Sequence, residues 1–131
     1  MADEPEEEGG DGRGPTPYDL LLSSLGSCTG MTLLLYTRRK GWPLEAVTVE
    51  LDHQRVHRDD SQKSETSGKA YIEVISRRIA LHGDLTEEQR DRIAYIAARC
   101  PVSRTLQSNP LVEDEDEVEV VSRPEPHSQA D

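Results

Sequence analysis

One stretch of the chain, residues 17–39, limits what this protein can fold into. Its residues favour a helix, and leucines and Met31 occur around most of the helix circumference rather than on one stripe. The rest of the sequence offers little to bury, since hydrophobic residues make up only 34% of the chain and phenylalanine is absent. A helix that is apolar nearly all round is typical of the centre of a domain. We therefore expect residues 17–39 to form a central helix that is covered on most sides.

Capping residues mark both ends of this predicted helix. Thr16 can cap the N-terminus, Pro17 suits the first helical position, and the Asp19 carboxylate is favoured at the positive end of the helix dipole. Gly41 and Pro43 follow the predicted C-terminus and should end the helix there.

Two segments after the helix have the pattern of strands. Residues 44–56 alternate apolar and polar side chains, which predicts a strand with one buried face. Residues 70–81 predict a second strand, and their irregular alternation indicates a bulge or burial on both faces. The polar residues 57–69 between them predict an exposed hairpin loop.

A second helix is predicted over residues 86–99, because Thr86 and Gln89 have the spacing of a capping box. Residues 101–106 predict a further short helical turn, and residues 118–121 a weak terminal strand. The order α-β-β-α with short connections predicts an α+β fold. In that fold the long central helix and the second helix pack on an antiparallel sheet.

The formal net charge of −11 is concentrated at the ends of the chain. Residues 14–112 hold 12 acidic and 13 basic residues, whereas the two ends together hold 14 acidic and 2 basic residues. The sequence therefore predicts a disordered acidic tail over residues 1–14, a folded domain over residues 15–112 and an acidic C-terminal tail over residues 113–131.

Several classes of function do not fit this composition. A nucleic-acid surface needs a clustered basic face, and the basic groups at residues 38–40 and at Arg77 and Arg78 are interpreted as solvated helix-end and strand residues. Four scattered histidines and two isolated cysteines lack the ligand spacing of a metal site, and no phosphate-binding glycine loop is found, so no cofactor is predicted.

The chain is expected to be cytoplasmic and not membrane-bound. The uncharged residues 20–36 include several serines, threonines and glycines and fall short of the about 20 mainly apolar residues of a membrane span. The acidic start has neither the cationic nor the apolar segment of a secretory signal. Two cysteines without such a signal indicate a reducing compartment.

The two cysteines are the candidates for chemistry. Cys28 lies in the middle of the apolar helix, where either a buried inert thiol or a thiol in a pocket fits the residues. Cys100 precedes Pro101 at a helix start, where free N–H groups stabilise a thiolate, and Arg99 and Arg104 add positive charge nearby. The alternative is that Cys100 only caps the helix.

Two cysteine motifs resemble those of a known family. Residues 14–22 (GPTPYDLLL) and 25–33 (LGSCTGMTL) are similar to its first motif, and residues 100–106 (CPVSRTL) look like its second. Residues 83–89 also match the type. On these motifs residues 14–108 resemble the OsmC/Ohr family of osmotically inducible and organic hydroperoxide resistance proteins, in its OsmC-like subgroup.

The resemblance implies a homodimeric α+β fold with central helices between curved sheets and a thiol pair near the dimer interface. Cys28 would be the peroxidatic thiol, becoming a sulfenic acid when it attacks an organic hydroperoxide or hydrogen peroxide. Cys100 would be the resolving thiol that forms a disulfide with it, and a dithiol reductant, often of the lipoyl type, would reduce the pair. Asp19 takes the place of an acidic family residue, and Arg104 is a supporting candidate.

The sequence also departs from the family pattern. The resemblance implies strands before the first helix, which supply a site arginine, whereas residues 1–14 here are acidic and glycine-rich, so those strands and the arginine that they supply are expected to be missing. Ser103 stands where close relatives have a histidine. Besides the peroxidase, two alternatives therefore stay open: a catalytically degenerate dimeric domain for binding or stress response, and an incomplete chain whose exposed sheet edge promotes aggregation.

Overall fold

The computed structural model describes residues 1–57, 71–114, 118 and 120–122. Its elements follow the predicted order and confirm the α+β fold class. In chain order they are helix α1 (Pro17–Lys40), strand β1 (Leu44–His57), strand β2 (Tyr71–Gly83), helix α2 (Glu87–Ala97) and helix α3 (Pro101–Gln107). The predicted loop over residues 57–69 lies outside the described residues, apart from His57, which belongs to β1.

Helix α1 begins and ends at the residues that the sequence predicts. The Thr16 hydroxyl accepts a hydrogen bond from the Asp19 N–H at 3.1 Å, and the Asp19 carboxylate accepts one from the Thr16 N–H at 3.0 Å. This reciprocal pair satisfies two N–H groups that the helix leaves unpaired. Gly41 ends the helix in the left-handed conformation, with φ of 70°, which favours glycine because it has no Cβ.

Strands β1 and β2 form an antiparallel pair in which Leu51 lies opposite Arg77. The one irregularity in their register lies at the start of β1, between Leu44 and Ala46, so the bulge considered for β2 is not found there. The other alternative, burial on both faces, fits the adjacent residues Val74 and Ile75, which are both half-buried. Arg77 occupies an inner-face position in phase with Ile75 and Ile79 and is half-buried there, so a charged residue interrupts an otherwise apolar face.

The core lies where the C-terminal half of α1 meets α2 and the sheet. Leu33 of α1 and Ile93 and Ala97 of α2 are buried at its centre. Packed around them are the partly buried residues Trp42, Leu44, Val47, Ile79, Leu81, Leu85 and Ile96. Helix α2 has the predicted capping box, since the Thr86 hydroxyl accepts from the Gln89 N–H and the Gln89 side chain accepts from the Thr86 N–H.

Helix α1 is less covered than the sequence analysis expects. Its buried residues form one stripe at every fourth position, namely Leu25, Thr29, Leu33 and Thr37, because β1, α2 and α3 contact only one side of the helix. On the other side Met31 is 69% exposed and Leu35 is 51% exposed. A single copy of this chain therefore leaves a long apolar helix face without a partner.

By length and composition, α1 is also apolar enough to cross a membrane, with a mean hydropathy of 1.4 over its most apolar 18 residues. A single helix of this kind is weak evidence, since core helices and N-terminal signal sequences have the same composition. In this structure α1 packs on β1, α2 and α3 as part of the folded domain.

Short segments at the two ends of the chain are also described. Residues 1–14 contain a short 3₁₀ turn at Glu6–Glu8, although disorder is predicted there. The turn is held because the Asp3 carboxylate accepts hydrogen bonds from the N–H groups of Glu4, Asp11 and Arg13 at 2.9 to 3.1 Å.

The weak strand predicted over residues 118–121 is absent at positions 118, 120 and 121, whose valine side chains are exposed and make no strand pairing. Position 119 lies outside the described residues. In the sequence, five acidic residues at 113–117 separate these valines from the domain. The domain boundaries at residues 14 and 112 stay predictions.

Candidate active site

The fold brings the two cysteines together. Cys28 lies in the middle of α1, and Cys100 lies directly before α3, which packs on α1. Both thiols are free; Cys28 is half-buried, whereas Cys100 is completely buried. The Cys28 side chain is one of the groups that act on the Cys100 thiol, so the two cysteines are neighbours although 72 positions separate them in the sequence.

A threonine and an arginine complete the surroundings of Cys100. The Thr29 hydroxyl oxygen lies 3.6 Å from the Cys100 sulfur and is fully buried. The Arg77 guanidinium reaches in from β2 and donates to the Thr29 oxygen at 3.0 Å and to the Cys100 sulfur at 3.8 Å. Three elements, α1, β2 and the start of α3, therefore meet at this thiol.

These neighbours change the acidity of Cys100. Burial by itself raises the pKa of the thiol, because it penalises the charged form. Polar interactions with the Ser103 N–H, the Thr29 hydroxyl and the Cys28 thiol, together with the positive charge of Arg77, outweigh burial and hold the pKa of Cys100 below its usual value. Cys100 is thus a stronger acid in the folded protein than an ordinary thiol.

This shift also makes stability depend on pH. Since the folded-state pKa of Cys100 lies below that of an unfolded thiol, the stabilisation is fully present above the unfolded value. It is lost as the pH falls through the folded-state value.

The predicted supporting residues are placed elsewhere. Arg104 is exposed and is not among the groups that act on the Cys100 thiol, and Arg99 is exposed with its guanidinium 3.9 Å over the ring of Tyr95. Asp19 caps the start of α1, nine positions before Cys28, or about 13 Å along the helix axis. The structure does not bring Asp19 or Arg104 to the thiols.

The residue that sequence analysis missed is Arg77. Its interpretation as a solvated strand residue is wrong, since the side chain is half-buried and reaches Cys100. The neighbouring Arg78 is the solvated one, with its side chain 84% exposed and 3.8 Å from Glu50. The available signal was strand phase, because Arg77 lies two positions from both Ile75 and Ile79 on the apolar face.

One cavity reaches Cys28, and a second lies beside Arg77. Cys28 lines a largely apolar pocket of about 690 Å³, together with Met31, Leu35, Arg38 and Val102. On another side, Arg77 lines a smaller and more polar cleft of about 290 Å³. The larger pocket therefore gives Cys28 an approach that suits an organic molecule.

An ion-paired cluster borders the smaller cleft. The Glu73 carboxylate lies 2.6 Å from His53 Nε2 and 2.9 Å from Arg55 Nε. Hydrogen bonds from Arg55 and then His53 lower the pKa of Glu73. The ring of Tyr18, at the start of α1, stacks on His53 with 4.5 Å between ring centroids. The cluster thus links the N-terminal end of α1 to the hairpin.

Metal ligation is also limited by this geometry. Within the part of the chain that the structure describes, no three His, Cys, Asp or Glu side chains lie close enough together to hold a metal ion.

Comparison with known families identifies the domain. The sequence profile of the family described as OsmC-like protein matches residues 9–114, which is most of the chain. The chain belongs to the OsmC-like protein family. A comparison of this OsmC-like protein with curated proteins finds no match.

Solved structures share the fold of this OsmC-like protein. They include a candidate osmotic stress induced and detoxification response protein from Psychrobacter arcticus 273-4, the organic hydroperoxide resistance protein OsmC from Legionella pneumophila, and a candidate organic hydroperoxide resistance protein from Vibrio cholerae. Their TM-scores are 0.62, 0.59 and 0.56, at 20%, 18% and 22% identity.

The three alignments cover 79%, 82% and 82% of this OsmC-like protein and 69%, 72% and 68% of the respective relatives. At these identities the similarity shows the fold. The names of the relatives connect the family with hydroperoxide resistance and osmotic stress.

Proposed function

We propose that this OsmC-like protein is a thiol-dependent peroxidase that reduces organic hydroperoxides, or hydrogen peroxide, in defence against oxidative stress. The observation that carries this proposal is the meeting of Cys28, open to an apolar pocket, with Cys100, which is a stronger acid than an ordinary thiol. A thiol accessible to peroxide beside a second thiol is the arrangement that a reversible peroxide reaction needs.

The first step takes place at Cys28. Its thiolate attacks one oxygen of the hydroperoxide, so that a sulfur–oxygen bond forms while the O–O bond breaks. The alkoxide leaves and takes up a proton to become the alcohol, and Cys28 becomes a sulfenic acid. The apolar lining of Met31, Leu35 and Val102 suits the organic part of the substrate.

The second step joins the two cysteines. The Cys100 thiolate attacks the sulfur of the Cys28 sulfenic acid, a disulfide bond forms, and hydroxide leaves and takes up a proton. The pair has then supplied the two electrons that reduced the hydroperoxide. A dithiol reductant, of the lipoyl type in our proposal, returns both thiols by disulfide exchange and is itself oxidised to a disulfide.

We also propose that the protein acts as a homodimer in a reducing, cytoplasmic compartment. The exposed apolar residues of α1, such as Met31 and Leu35, favour a second copy of this chain as their cover, and both also line the pocket of Cys28. A partner seated there would complete the wall of the pocket. The Vibrio cholerae relative has captopril bound in one of its active sites, which supports a site of this kind that admits a small organic molecule.

The proposal is tested by hydroperoxide consumption with the purified full chain. Cumene hydroperoxide, tert-butyl hydroperoxide and hydrogen peroxide are each supplied with dihydrolipoamide, and we expect many equivalents to be consumed per protein. Protein alkylated beforehand with N-ethylmaleimide is the control and should be inactive. Consumption no faster than in the control would exclude the peroxidase and leave the catalytically degenerate binding or stress-response domain.

A further inference from the structure

We propose that Arg77, acting with Thr29, is the positioning residue that holds Cys100 as an anion and thereby sets how fast Cys100 closes the disulfide. The inference rests on the proposed function for its role in turnover. Its electrostatic part stands on the geometry of the three side chains alone.

The position of Arg77 makes the anionic form of the Cys100 sulfur a suitable ion-pair partner for its guanidinium. Among the described residues Arg77 forms no ion pair, whereas Arg55 pairs with Glu73 and Arg78 lies near Glu50. Glu73 borders the same cleft as Arg77, but His53 and Arg55 already hold its carboxylate. A half-buried guanidinium 3.8 Å from a buried sulfur atom favours the anionic form of that sulfur.

Thr29 contributes a hydroxyl whose proton can be redirected by rotation about the C–O bond. A hydroxyl has one proton, and in the structure Thr29 donates it to the Leu25 carbonyl oxygen at 2.7 Å while Arg77 donates to the Thr29 oxygen. When Cys100 ionises, rotation of the hydroxyl would direct this proton to the sulfur, 3.6 Å away. The Leu25 carbonyl keeps its ordinary helix hydrogen bond, so the rotation leaves no carbonyl unpaired.

The charged and titratable groups around Cys100 come from several elements. Arg77 faces it from β2 and the Cys28 thiol faces it from α1, while the Ser103 N–H approaches from α3. Arg99 and Arg104, adjacent in sequence, are exposed. Among the described residues, Arg77 is therefore the one with a full positive charge that contacts the Cys100 sulfur.

The consequence for turnover falls on the second step. An anionic Cys100 attacks the Cys28 sulfenic sulfur directly, whereas a neutral thiol must first lose its proton. Removing Arg77 should thus slow disulfide closure and lengthen the life of the Cys28 sulfenic acid.

The experiment titrates Cys100 through the ultraviolet absorbance of its thiolate, in a Cys28→Ser background where it is the one remaining cysteine. The same protein with Cys100→Ser supplies the baseline. Arg77→Met is expected to raise the titration midpoint by about one pH unit or more, which is about tenfold less thiolate at neutral pH. Arg77→Lys should restore part of the shift, and the matched control Arg78→Met should show none.

Thr29→Val is the second variant, because it keeps the shape of the side chain and removes the hydroxyl. It should shift the midpoint in the same direction, and circular dichroism checks that each variant is folded. An unchanged midpoint in folded Arg77→Met, or an equal shift in Arg78→Met, would overturn the proposal. If Arg77→Met does not fold, Arg77→Gln, which also removes the charge, is titrated in its place, and an unchanged midpoint there overturns the proposal.

A kinetic arm separates this inference from the proposed function. After one equivalent of hydroperoxide, dimedone should trap more Cys28 sulfenic acid in Arg77→Met than in wild type or Arg78→Met. A shifted titration in a protein that consumes no peroxide keeps the electrostatic role of Arg77 and removes the peroxidase. If wild type turns over hydroperoxide but the titration midpoint of Arg77→Met is unshifted, the peroxidase is kept and the electrostatic role of Arg77 is removed.

Discussion

Replacing Cys28 by serine is expected to lower hydroperoxide consumption by about a thousandfold or more, the scale of loss when an enzyme loses its nucleophile. A serine hydroxyl is a far weaker acid than a thiol, and its oxygen cannot accept the peroxide oxygen. Cys28 is also the thiol that opens to the apolar pocket, whereas Cys100 is completely buried and cannot readily take its place. The measurement is the rate of cumene hydroperoxide loss with dihydrolipoamide, compared with the reductant alone.

Cys100→Ser is the matched control for this prediction, since it removes the other cysteine by the same substitution. It retains the first chemical step, so the protein should consume one equivalent of hydroperoxide rapidly and accumulate Cys28 sulfenic acid that dimedone traps. If Cys28→Ser turns over as fast as wild type, the assignment of Cys28 as the attacking thiol is wrong.

Introducing a charge on the open face of α1 should separate the proposed homodimer. Leu35 is half-exposed in the single chain and lines the pocket of Cys28, so a second copy that covers this face would bury it. Each buried glutamate should cost about 1.5 kcal/mol with Arg38 nearby, and a homodimer buries two, so the dimer dissociation constant should rise by about a hundredfold. Sedimentation velocity across a concentration series should therefore find a dimer for wild type and a monomer for Leu35→Glu.

The control for this variant is Leu111→Glu. Leu111 is exposed and lies beyond α3, so the same change of charge there should leave the dimer intact. A wild-type chain that stays monomeric at tens of micromolar, or a Leu35→Glu variant that remains a dimer, would remove the proposed interface. Unchanged helix content by circular dichroism shows that the effect does not come from unfolding.

The sequence predicted the elements whose signals are local. Thr16 and Asp19 cap α1, Gly41 ends it, and Thr86 and Gln89 start α2, because each signal depends on residues within one helical turn. The motifs around Cys28 and Cys100 likewise led to the family and to the pair of thiols. These parts of the fold needed no knowledge of what packs against them.

Features that depend on packing were predicted less well. Arg77 was interpreted as solvated because a charged residue in a strand usually faces water, and only its contact with Thr29 shows why an inner position is tolerated. The exposed side of α1 was expected to be covered, because sequence gives the apolar surface of a helix but not the copy of the chain that covers it. Arg104 is near Cys100 in sequence, yet its position on α3 leaves it exposed.

The source of the site arginine is the clearest departure from the expected family pattern. The resemblance implies an arginine from strands before the first helix, whereas in this fold the arginine that reaches Cys100 is Arg77 of β2, which follows that helix in the chain. The titration of Cys100 described above measures what the charge of Arg77 does.

The central claim is that two sulfurs far apart in sequence act as one redox centre, and peptide mapping by mass spectrometry tests it most directly. The reduced full chain is treated with one equivalent of cumene hydroperoxide, quenched with an alkylating reagent and digested without reductant. We predict an intrachain Cys28–Cys100 disulfide that dihydrolipoamide reverses. Two alkylated, unoxidised thiols after the hydroperoxide has had time to react would contradict the account.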